Sequence, residues 1–88
     1  MTHAFHSDAV AKLLGELTPG ERAAVETVRV SLETEPDQGR GLPDADPRSE
    51  TYAVEVTPAA TGGRGISVVY RYSGDLDACL VLWLIVGP

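Results

Sequence analysis

The sequence predicts an α+β fold: an antiparallel helical hairpin packed on a small antiparallel β-sheet, one domain over residues 1–88. Three observations predict it. Apolar residues recur at helical spacing between Val10 and Leu32. Strand-length apolar runs follow, at residues 52–56, 66–72 and 78–86. The last of these, ACLVLWLIV, holds nine apolar residues in a row. A strand apolar on both faces has to be covered on both, so it is expected at the centre of the sheet.

Residues 7–17 read as a first helix, with Ser7 as cap and Asp8 in the first turn. Val10, Leu13, Leu14 and Leu17 form its apolar face. Thr18-Pro19-Gly20-Glu21 is a capping box with proline at the first helical position. It opens a second helix that runs to about Thr34, with Ala24, Val25, Val28 and Leu32 inward and Pro36 just past its end. So brief a connection predicts antiparallel helices. Residues 37–50 hold two glycines, two prolines, four acids and two arginines, and read as a surface loop. Tyr52, Val54 and Val56 alternate with Ala53 and Glu55, as in a half-buried strand. Residues 58–65 form a glycine-rich loop, and the strands at 66–72 and 78–86 make a hairpin across residues 73–77. A short strand over residues 2–5 would complete the order (β)-α-α-β-β-β.

Composition narrows the function. The 88 residues include 13 acids and 7 bases, a net charge of −6, against direct nucleic-acid binding. Cys79 is the single cysteine, excluding an internal disulfide, and inside an apolar strand it reads as a small buried hydrophobe. His3 and His6 lie three apart near the terminus, without a third ligand to complete a metal site. No cofactor is expected. No basic-then-apolar leader is present, and the longest apolar run falls short of the ~20 residues of a spanning helix. The cytoplasm is the expected location, without a membrane role.

The order of elements, with these local patterns, resembles the RelE/ParE superfamily, the toxin partners of bacterial toxin–antitoxin pairs. Three segments carry the likeness: the helical hairpin ending in LETEP, residues 52–56 after a Gly/Pro-rich loop, and the hairpin SVVYRY…LVLWLIVG, similar to the family's RVVYRV…VVVLRVGHR. The resemblance implies a RelE/ParE-like fold. It also implies one of two activities, ribosome-dependent mRNA cleavage or poisoning of DNA gyrase. In the nucleases, Arg and Lys surround the scissile phosphate, often with a Tyr or His near the C-terminus. Cleavage by the RNA's own 2′-OH needs a base, cations for the developing charge and an acid for the leaving oxygen.

The chain departs from the family at each matched position. The arginine that opens the RVVYR-type strand is Ser67, and the basic positions of the preceding strand are Ala53 and Glu55. The GHR-type motif after the last strand is Gly87-Pro88, where the chain stops, so it is expected to be truncated relative to the family. The remaining catalytic candidates are Arg71, at the arginine of the VVYR motif, and Arg64, three residues before Ser67. Their bland alternative is a solvated Arg64 and an Arg71 lying along the sheet toward an acid such as Glu55. Tyr70, Tyr72 and Trp83 are binding candidates, each with core packing as the alternative. The glutamates of the helices, Glu21 included, read as solvated faces.

The reading that follows is a toxin-like scaffold without the RNA-cleaving set. It acts through a protein partner, either antitoxin-like or a second copy of itself. The alternatives are a divergent active toxin and an unrelated small α+β protein.

Overall fold

The computed structural model describes residues 1–43 and 50–87. Its elements are β1 (His3–His6), α1 (Asp8–Leu14), α2 (Pro19–Ser31), β2 (Arg40–Leu42), β3 (Glu50–Val56), α3 (Pro58–Thr61), β4 (Ile66–Ser73) and β5 (Ala78–Val86). The strands form one five-stranded sheet in the order β1-β5-β4-β3-β2. The pairs β2–β3, β3–β4 and β4–β5 are antiparallel, as expected, but β1 joins β5 in parallel. The sheet is therefore mixed. Asp77 anchors β1: its carbonyl accepts from His3 N at 3.0 Å and its Oδ1 from Thr2 Oγ1 at 2.7 Å. Asp77 itself takes a left-handed φ of 49°, which short polar side chains tolerate best after glycine.

The predicted caps are present. Ser7 Oγ accepts from Val10 N, and Thr18 and Glu21 complete the reciprocal box that starts α2. Both helices are shorter than the periodicity predicts: α1 ends at a Gly15 cap and α2 at a Leu32 cap, and each apolar pattern runs on through a turn that still packs inward. α1 rests on β5 and β1, while α2 rests on β1, β3 and β4, and each meets the sheet more than the other helix.

Two expected loops contain structure. Part of the 37–50 stretch is strand β2, whose Arg40 pairs with Ala53 and Leu42 with Thr51; residues 44–49 lie outside the described residues. Within the glycine-rich 58–65 segment, Thr57 caps the single helical turn α3, which Gly62 closes at φ 78°. One turn is too short for an apolar period to reveal.

A single core lies between the helices and one sheet face. Val10, Leu17, Val25 and Leu32 of the helical segment meet Val56, Ile66, Val68, Tyr70, Cys79, Val81 and Leu84. The covering is one-sided, which corrects the expectation for the last strand. β5 is interior to the sheet, flanked by β1 and β4, yet only one of its faces is covered. On the other, Leu80, Trp83 and Ile85 are 40%, 49% and 57% exposed. A β-bulge decides which residues these are. Val69 pairs with Trp83 but Tyr70 with Val81, so Leu82 is the extra residue. Below the bulge Cys79 and Val81 point inward; above it Leu84 does, and Trp83 and Ile85 turn out.

Candidate functional site

The helix-free face of the sheet carries the positions that the resemblance implies for chemistry. Strand pairing sets its side chains in rungs. Glu55, Ser67 and Ile85 form one rung, Ala53, Val69 and Trp83 the next, and Thr51, Arg71, Leu80 and Phe5 a third. Arg40 extends the second rung and Leu42 the third. Ser67 Oγ donates to Glu55 Oε2 at 2.5 Å, and Arg40 lies 3.4 Å from Glu55 Oε1. A cleft of about 540 Å³ opens at this end of the sheet, lined in part by Glu55, Ser67, Ile85 and Gly87.

The two arginine candidates are not brought together. Arg71 stands on the open face between Thr51 and Leu80. Arg64 is on the helix side, where Nε and NH2 reach the two oxygens of Glu21 at 2.9 and 3.0 Å. Glu21 is 2% exposed, so it is no solvated helix-face acid. The Arg64 hydrogen bond, then the Thr18 backbone N–H, hold its carboxyl down to about 2.

The aromatic candidates also separate. Tyr70 is fully buried on the core face, its hydroxyl accepting from Gly39 N at 3.1 Å, and burial pushes that hydroxyl up to about 12. Tyr72 is half-buried on the same face, and Trp83 is on the opposite one. Tyr52 stacks on Tyr70 at 5.4 Å and donates to Glu50, which raises the Tyr52 hydroxyl to about 12. Cys79 is buried, and desolvation raises its thiol to about 11, which suits packing rather than nucleophilic attack.

His3 and His6 are ordered in β1, where strand alternation turns them to opposite faces. His6 lies on the core side, its Nε2 3.5 Å from Glu26 Oε2. Glu26 in turn receives Arg29, whose NH1 donates to Ala4 O at 2.9 Å. Among the described residues no group of three or more His, Cys, Asp or Glu is placed to hold a metal ion. No helix among them is long and apolar enough to cross a membrane.

No protein-family model matches the chain, and no curated protein matches its sequence. A solved structure does match: the archaeal RelE–RelB complex from Pyrococcus horikoshii OT3. It aligns with a TM-score of 0.69 over 94% of this chain and 91% of that chain, at 16% identity. The fold is RelE-like. On this RelE-like sheet, Ala53, Glu55 and Ser67 occupy one corner of the open face, beside the exposed Trp83 and Ile85.

Proposed function

We propose that the chain is a divergent toxin-like protein of the RelE/ParE kind that lacks the RNA-cleaving set and works by binding protein, either an antitoxin-type partner or a second copy. One observation carries this reading. Where the resemblance implies cations around a phosphate, Ser67 donates to Glu55, a carboxylate that repels phosphate. The same corner presents Trp83 and Ile85, side chains suited to a protein contact. Arg64, a substitute cation by sequence, is engaged by a buried glutamate instead. The similar archaeal fold was solved as a RelE–RelB complex, which supports a protein partner here.

A divergent nuclease is the second reading, favoured by Arg40 and Arg71 on the open face. Purified protein added to translating ribosomes tests both. Intact mRNA is the expected result. Cleavage that disappears in Arg71→Ala or Arg40→Ala would replace the binding reading with the nuclease one.

A further inference from the structure

The open face divides into two stripes. β5 and β1 carry Leu80, Trp83, Ile85 and Phe5, all at least 40% exposed. β3 and β4 carry Glu55 and Ser67 at one end, Thr51 and Arg71 at the other, with Ala53 and Val69 between. Single exposed apolar residues are ordinary in folded proteins, but four large ones on adjacent strands form a patch, and patches mark contact surfaces.

The two stripes are self-complementary. Consider a two-fold axis lying in the plane of the face along the Ala53–Val69–Trp83 rung. It keeps each strand over its own copy and exchanges the strand ends. Trp83 then meets Trp83, Leu80 meets Ile85, and Arg71 lies over Ser67 and Glu55. Apolar stripe covers apolar stripe, and Arg71 comes over the Ser67–Glu55 end twice by symmetry, while Arg40, held by its own Glu55, faces its copy at the sheet edge. An axis along β5 sets Arg71 over Phe5 and leaves Glu55 with only the Arg40 of its own chain.

We infer that this face is the interface of a two-fold homodimer, two open sheets packed as a sandwich with the helices outside. The inference rests on the protein-binding reading above and names its partner as a second copy. Four strands by seven residues give a footprint of roughly 19 by 23 Å. That is smaller than the ~800 Å² per partner of a standard interface. The dimer is accordingly one that dissociates on dilution.

Light scattering and Trp83 fluorescence, from low micromolar to several hundred micromolar protein, test it. The mass is expected to rise from 9.3 kDa to twice that value, with Trp83 emission shifting to the blue over the same range. Trp83→Lys and Ile85→Lys should each remain monomeric with unchanged circular dichroism. Arg71→Glu and Glu55→Arg should each weaken association tenfold or more, and the double swap should restore it. A wild-type chain that stays monomeric overturns the inference, as does a dimer that survives both lysine variants, or a different protein that shields Trp83 on a monomeric chain. A monomer that leaves mRNA intact overturns the dimer alone, whereas mRNA cleavage overturns the binding reading whatever the mass.

Discussion

Glu21 is the one acid buried among the described residues. Its Oε1 accepts from Thr18 N at 2.9 Å and from Arg64 NH2 at 3.0 Å, and its Oε2 accepts from Arg64 Nε at 2.9 Å. One side chain thus closes the start of α2 and fastens the loop before β4 to it. Because the folded-state carboxyl sits near 2 rather than the ordinary 4.5, the native state holds fewer protons than the unfolded chain between those values. The stability due to Glu21 is therefore fully present above about pH 4.5 and is lost as pH falls toward 2. Denaturant titrations across this window should show Glu21→Gln below wild type at neutral pH and converging with it near pH 2. Parallel curves would remove the pair from the acid response. The box at Thr18 and Glu21 was legible because it is local, four residues in order. The Arg64 partnership spans 43 positions and leaves no pattern in the sequence, so Arg64 reads there as a free loop cation.

At the scale of elements, α3 and α2 meet so closely that a glycine is required between them. A Cβ on Gly20 would stand 2.6 Å from the carbonyl oxygen of Thr61, a backbone atom with little freedom to retreat. Alanine in a helix is ordinarily better than glycine by ~1 kcal/mol. Here the clash outweighs the propensity, and Gly20→Ala should lower the melting temperature. A rise would mean that α3 moves aside at little cost. Gly39 plays a similar part where the chain leaves α2 for β2: an added Cβ would lie 2.9 Å from Ala53 O and 3.1 Å from the Tyr70 hydroxyl. The bulge at Leu82 has the largest consequence of any local irregularity. Side chains alternate strictly along a strand, so one extra residue reverses the faces beyond it. In an unbroken apolar run such as residues 78–86, neither position nor outcome of that reversal is written in the pattern.

For the molecule as a whole, a one-sided core in a chain of 88 residues leaves a small reserve. Leu32, fully buried under the end of α2, is expected to cost about 2–5 kcal/mol on truncation to alanine. Against total stabilities of ~5–15 kcal/mol, that loss should be visible as a large drop in the denaturation midpoint. If the open face is paired in solution, the midpoints of wild type and Leu32→Ala should both rise with protein concentration, because association stabilises the folded state. A midpoint independent of concentration would count against pairing.

The sequence by itself determined the order of the main elements, both helix caps, the inward faces of both helices and the hairpin of β4 and β5. All of these depend on contacts between near neighbours or on a single period. It also placed Ala53, Glu55 and Ser67 at positions where cations were implied. Tertiary structure alone decided that β1 enters the sheet in parallel, that Arg64 belongs to Glu21, and that Trp83 and Ile85 face outward. Each of those outcomes depends on residues distant in the chain or on one inserted residue in a uniformly apolar strand. Hydropathy identifies such a strand as part of a sheet but carries no term for which of its faces will be covered.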